Sequence, residues 1–215
     1  LMKLENTDSS PYNPMINAGA IVVASCLASE ISFDTMLDTI RALCMDPDIN
    51  LDKKVYHSEM SHISRNRAIA YLLESKGYIE KNKDVENSLH FYVKMCSLSV
   101  TAESLAGLGL ILANDGIHPD TGKRLLSSQA VKIVKTLMFT CGMYDGSGEF
   151  AVRVGIPSKS GVGGGILSVV DGEMGIGIFG PALDKKGNSV AGECVLEYMS
   201  HELHLHMFDP QRHTL

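Results

Sequence analysis

The most constraining feature of this chain is a single change of rhythm inside a glycine-rich stretch, Phe139 to Val170. Before it, apolar residues recur every three or four positions, as at Phe33, Met36, Leu37, Ile40 and Leu43. That is the period of helices buried along one face. After Val162 the period becomes two. Ile166 to Val170, Asp171-Gly172 and Met174 to Phe179 read as a hairpin with an Asp-Gly turn. A helical pattern then returns from Val190 to His206. A helical block followed by antiparallel strands and a long helix predicts an α+β fold. No internal repeat or linker divides residues 1–215, so one domain is expected. Its helical region covers about 14–141 and its sheet-plus-helix region about 142–207.

The helices have readable ends. Residues 5–13 are polar and turn-rich. Pro14 suits a first helical turn and Asn13 an N-cap, which predicts a helix from Pro14 to about Ser29. It is apolar nearly all round and should be buried, with Asn17 as its odd amide. A buried amide of this kind either bonds a neighbouring loop or faces a ligand. A further helix is expected from Ser58, ending at Gly77. On it Glu59 and Asn66 are seven residues apart, within about 20° of one another on one face. That face reads as solvated or as lining a cleft. Asp84, Thr101, Ser127 or Ser128, and Asn188 or Ser189 cap later helices.

Charge and cysteine usage narrow the function classes. The net charge is −6, unlike the basic surface that nucleic acid or an acidic membrane requires. No apolar run is long enough to span a bilayer. The five cysteines are widely spaced, without C-x-x-C or zinc spacing. Reduced thiols in a cytoplasmic compartment are the expectation. His201-Glu-Leu-His204-Leu-His206 is not H-E-x-x-H and reads as a polar stripe near a helix C-terminus, so no metal is expected. Gly161-Val-Gly-Gly-Gly precedes a strand and lacks the phosphate-loop pattern.

The glycine-rich stretch holds the candidate chemistry. Tyr144 sits in a glycine-flanked loop, and Lys159-Ser160-Gly161 leads into a strand. The triplet looks like the K-T-G element of serine β-lactamases and penicillin-binding proteins, where it lies on a strand edging the active site. The S-x-x-K nucleophile of that design does not occur in residues 1–215.

Four motifs, in order, closely resemble the glutaminase family. They are Asn13-Pro-Met-Ile-Asn17-Ala-Gly-Ala-Ile, Cys141-Gly-Met-Tyr144-Asp, Pro157-Ser-Lys159-Ser160-Gly161-Val162-Gly-Gly-Gly-Ile and Leu183-Asp-Lys-Lys-Gly-Asn-Ser-Val-Ala-Gly. These are serine-dependent L-glutamine amidohydrolases with a β-lactamase/transpeptidase-like fold, and this chain looks like the C-terminal portion of a bacterial member's catalytic domain. The resemblance implies that the S-x-x-K Ser and Lys, and the first strands of the sheet, lie upstream of Leu1, so that this chain alone is inactive. It implies substrate contacts at Asn17, Glu59, Asn66, Tyr92, Tyr144 and, through its backbone, Val162. It implies no cofactor, a homo-oligomer (dimer or tetramer), and a cytoplasmic location, or a mitochondrial one in a eukaryote.

On this reading Glu59 pairs with the α-ammonium of glutamine, while Asn17 and Asn66 donate to its α-carboxylate. The Val162 N–H helps hold an oxyanion. Tyr144 transfers protons to and from the Ser, with Tyr92 assisting. A free Tyr titrates near 10, so a cation such as Lys159 is expected to lower it. The alternatives are a glutamine-binding module without catalysis, and a serine hydrolase of the same fold that acts on β-lactams or peptides.

Overall fold

The computed structural model describes residues 11–81 and 83–211. The predicted loop at 5–13 therefore lies outside the described residues as far as residue 10. The chain forms two compact units. One takes in the described residues of Leu1–Ile40 and Asp48–Ser99, the other those of Arg41–Pro47 and Val100–Leu215. The second unit joins helices of the expected 14–141 block to the strands.

The first unit is helical. Helix α1 (Asn17–Glu30) is followed by α2 (Phe33–Cys44), in which the unit boundary falls. Strand β1 (Asn50–Leu51) pairs with β2 (Leu98–Ser99) in an antiparallel pair. Between them lie α3 (Lys53–Ser61), α4 (Ser64–Ser75) and α5 (Val85–Cys96). Helix α1 packs on α4 and α5 around Ile21, Ile63, Leu73, Ile79 and Leu89, each buried. Asp84 caps α5, its carboxylate accepting from the Asn87 N–H at 3.0 Å.

Two boundaries differ from expectation. Helix α1 starts at Asn17 because the Asn13 side chain accepts from the Met15 N–H at 2.8 Å. That local turn displaces the helical turn expected at Pro14. The helix is also less enclosed than its composition predicts, with Val23 45% exposed. The helix expected from Ser58 to Gly77 is two helices. Asp52 caps α3 six residues before the predicted start of that helix, its Oδ1 accepting from Lys54 and Val55. The chain then breaks at His62, whose N–H bonds the Glu59 carbonyl, and Ile63 turns into the core.

The second unit is a three-stranded antiparallel sheet with helices against it. Its elements are α6 (Ala102–Ala113), α7 (Ser128–Cys141), α8 (Ser147–Arg153), β3 (Ser158–Ser160), β4 (Gly165–Val170), β5 (Met174–Phe179) and α9 (Val190–Glu202). The strand order is β3-β4-β5. Alternation explains how the hairpin is buried. Gly175 and Gly177 face α6, where an added Cβ would meet Ala106 O at 2.1 Å and Ala102 O at 1.8 Å. No other residue permits that backbone approach. Ile166, Val170 and Ile176 join Phe150, Val154 and Leu196 in a separate core cluster. Thr101 and Ser104 make a reciprocal capping box at α6.

The predicted hairpin is present, closed by three residues with Gly172 at φ +75. Helix α9 stops at Glu202, before the predicted His206. His204 adopts φ +53, and Leu205, 3% exposed, folds back against the core. Helix α8 was not expected, since its glycine-flanked sequence reads as loop.

Candidate active site

Each unit positions part of the predicted set. In the first unit Asn17 is the first residue of α1 and is exposed rather than buried. Its Nδ2 donates to Asn66 Oδ1 at 3.1 Å. With that oxygen engaged, both N–H groups of the Asn66 amide remain as donors, and Asn17 retains a second. Two amides and the N-terminus of α1 suit an anionic group. The predicted pairing of Glu59 with Asn66 on one helical face does not hold, because the break at His62 puts them on α3 and α4. The partner of Asn66 is instead Asn17, forty-nine residues away.

Glu59 is exposed on the last turn of α3. The Tyr56 hydroxyl and His90 Nδ1, 2.6 Å apart, tie α3 to α5, which carries Tyr92. Glu59 and Tyr92 both act on the Cys96 thiol. Its pKa is raised by desolvation, opposed by its hydrogen bond with Tyr92, and raised further by the Glu59 carboxylate. Part of the Cys96 surface stays open to solvent.

In the second unit Tyr144 opens a short 3₁₀ turn, Tyr144–Gly146, between α7 and α8. Its φ is +52, a left-handed conformation that costs a side chain about 1–2 kcal/mol. Three contacts hold it. Met143, 1% exposed, anchors the turn in the core. The Ser147 Oγ accepts from the Met143 N–H at 3.0 Å and donates to the Tyr144 carbonyl at 2.8 Å. The Asn188 Nδ2 donates to the Met143 carbonyl at 3.2 Å.

Strand β3 runs beside this turn, its Ser160 N–H donating to the Gly142 carbonyl at 3.0 Å. Ser158 and Ser160 are buried on one side of the strand, which leaves Lys159 on the other. The Lys159 Nζ donates to the Ser160 carbonyl and lies 4.8 Å from the centre of the Tyr144 ring. Val162, 71% exposed, sits in the tight turn Gly161–Gly164 between β3 and β4. Gly187 lies against both the Tyr144 ring and the Val162 side chain, each 3.6 Å from where its Cβ would be. Tyr144, Lys159 and Val162 are thus assembled by one unit.

Their electrostatics reverse one expectation. Tyr144 titrates above its ordinary value, because burial outweighs the lowering effect of its hydrogen bond with the Val162 backbone. The predicted lowering by Lys159 is absent. The ammonium lies over the ring face rather than beside the hydroxyl. Burial also depresses the Lys159 pKa, with Cys141 opposing, so its charge is itself disfavoured.

Reading the sequence missed Ser147 and Asn188. Ser147 follows Tyr144 by three residues, a spacing open to a side-chain-closed turn. Asn188 lies in the fourth family motif, where its sequence context offers it no role beyond an alternative helix cap. Among the described residues no group of His, Cys, Asp and Glu is arranged to hold a metal.

The glutaminase family model matches residues 1–208. A glutaminase of Clostridioides difficile (strain 630) is 52% identical over 212 residues, covering 97% of this chain and 68% of the relative. The chain spans about two thirds of the length of the curated relatives it matches. A crystal structure of a Bacillus glutaminase in 4.3 M NaCl superposes with a TM-score of 0.89 at 40% identity, covering 96% of this chain and 72% of that one. A second, the covalent complex of the Bacillus subtilis glutaminase with 5-oxo-L-norleucine, formed with 6-diazo-5-oxo-L-norleucine, superposes at 0.86 and 40% identity, covering 92% and 70%. The helices and antiparallel strands of this chain follow the β-lactamase-like fold of those structures. The chain belongs to the glutaminase family.

Proposed function

We propose that the protein hydrolyses L-glutamine to L-glutamate and ammonia through a glutamyl-Ser ester, the Ser and its Lys belonging to an S-x-x-K element outside this chain. The observation that carries the reading is the covalent complex of the Bacillus subtilis relative. Its reagent shares the α-ammonium, α-carboxylate and C5 carbonyl of glutamine.

The residues suit each part of that substrate. Glu59 pairs with the α-ammonium. The Asn17–Asn66 pair offers N–H donors to the α-carboxylate. Tyr144 accepts the Ser proton as Oγ attacks the amide carbon, and the Val162 N–H stabilises the resulting oxyanion. Tyr144 then returns a proton to the leaving nitrogen and ammonia departs. Water cleaves the ester, giving its proton back through Tyr144, with Tyr92 assisting. The raised Tyr144 pKa keeps the hydroxyl protonated in the unliganded state, so proton transfer depends on charges brought by the substrate and the S-x-x-K Lys. Lys159 supports the ring from its face.

The enzyme acts in the cytoplasm, or in the mitochondrion of a eukaryotic source, as a homo-oligomer. The five free cysteines support a reducing compartment, and the family resemblance supports self-association. The experiment is ammonia release from L-glutamine by the full-length protein and its Tyr144→Phe variant. Loss of the proton-transfer group should lower kcat about 10²- to 10⁴-fold with little change in KM. An unchanged kcat removes Tyr144 from the chemistry.

A further inference from the structure

Asn188 is a fully buried amide that the proposed reaction does not use. Its Nδ2 donates to the Met143 carbonyl, which also accepts the Gly146 N–H at 3.0 Å. That carbonyl closes the turn carrying Tyr144. The same Nδ2 lies 3.3 Å from where a Cβ on Gly146 would be. The other end of the amide is unsatisfied: Oδ1 is buried without a hydrogen-bond partner. An apolar residue there would avoid the orphaned oxygen, so the retained amide points to the donor it supplies.

The backbone of Asn188 is fixed as firmly as its side chain. Its N–H donates to Asp184 Oδ1 at 2.8 Å, and its carbonyl accepts the Asp184 N–H at 2.8 Å. The preceding residue, Gly187, lies against the Tyr144 ring and Val162. One dipeptide therefore grips the turn from the backbone side and the ring from the other. A left-handed Tyr persists only where its surroundings over-determine it.

We propose that Asn188 is a positioning residue for Tyr144, holding the Met143–Gly146 turn so that the hydroxyl sits where proton transfer requires it. The inference rests on the assignment of Tyr144 to proton transfer. Misplacing a reacting group by about 1 Å costs on the order of a hundredfold in rate.

The test is a double-mutant cycle in the full-length protein, measuring ammonia release from L-glutamine. Asn188→Leu keeps roughly the shape of the side chain but cannot donate to the Met143 carbonyl. It should lower kcat roughly 10- to 100-fold with KM held within about twofold. Placed in the Tyr144→Phe background it should change kcat by less than about twofold, because the group it positions is gone. A purely structural Asn188 would lower kcat by the same factor in both backgrounds, and that additivity overturns the proposal. If Asn188→Leu does not fold, Asn188→Ala and Asn188→Ser carry the same requirement of non-additivity. Loss of kcat in Tyr144→Phe without any loss in the Asn188 variants overturns this inference alone. Full kcat in Tyr144→Phe overturns the proton-transfer reading and the inference with it.

Discussion

Gly142 is where the fit between the Tyr144 turn and β3 can be tested most directly. It caps the C-terminus of α7 with an ordinary φ of −75, so an alanine there is not barred by backbone conformation. It is barred by space. A Cβ at this position would lie 1.9 Å from the Ser158 carbonyl oxygen and 2.5 Å from that of Met138. Both obstacles are backbone, so no side chain can swing aside. Moving from 1.9 Å to an ordinary 3.4 Å contact requires a shift of about 1.5 Å between α7 and β3. The Gly142 carbonyl also receives the Ser160 N–H, so the same shift separates Tyr144 from Lys159.

Overpacking of this kind costs about 1–3 kcal/mol, or roughly 2–12 °C in Tm for a domain of this size. A displacement beyond 1 Å predicts a loss in kcat on the order of a hundredfold. The control is Gly148→Ala, in the first turn of α8, where a Cβ meets nothing within 4 Å. It should leave kcat unchanged and shift Tm slightly upward, since alanine is the better helix former. Thermal melts and ammonia-release kinetics on the two variants decide. A Gly142→Ala protein that melts and turns over like Gly148→Ala would show that the turn and β3 are not held in register as described.

Two further outcomes are expected. Glu59→Gln should raise KM for glutamine about 10- to 150-fold with little change in kcat, the equivalent of losing a charge-assisted bond of roughly 1.5–3 kcal/mol; an unchanged KM in initial-rate measurements removes Glu59 from ammonium recognition. Lys159→Met bears on stability against pH. The folded protein releases the Lys159 proton more readily than the unfolded chain, whose lysine titrates at 10.5. The unfolded state therefore binds more protons between the depressed folded value and 10.5, and stability rises with pH across that window. Below the window the wild type carries the full penalty of a buried charge, so Lys159→Met should melt higher there and lose the upward slope. Parallel Tm–pH curves for the two proteins would contradict the burial of that charge.

The sequence by itself determined what local chemistry can determine. Helix period, caps at Asp84, Thr101, Ser127 and Ser189, and the Asp-Gly turn are encoded within a few residues of where they act, and all are present. The four motifs carried the family and its fold for the same reason, as short patterns of residue type. What only the tertiary structure decided depends on residues far apart in the chain. The break at His62 follows from seating Ile63 in a core, which no local pattern reports. Asn66 finds its partner at Asn17 rather than near Glu59. The direction of the Tyr144 shift depends on whether Lys159 reaches its hydroxyl or its ring, a matter of ångströms set by how β3 lies against the turn. Asn188 acquires its donor role only when its loop returns to the Met143 carbonyl forty-five residues back in the chain. Local sequence specifies which groups are present, while burial and long-range contact set their charge, their partners and their aim.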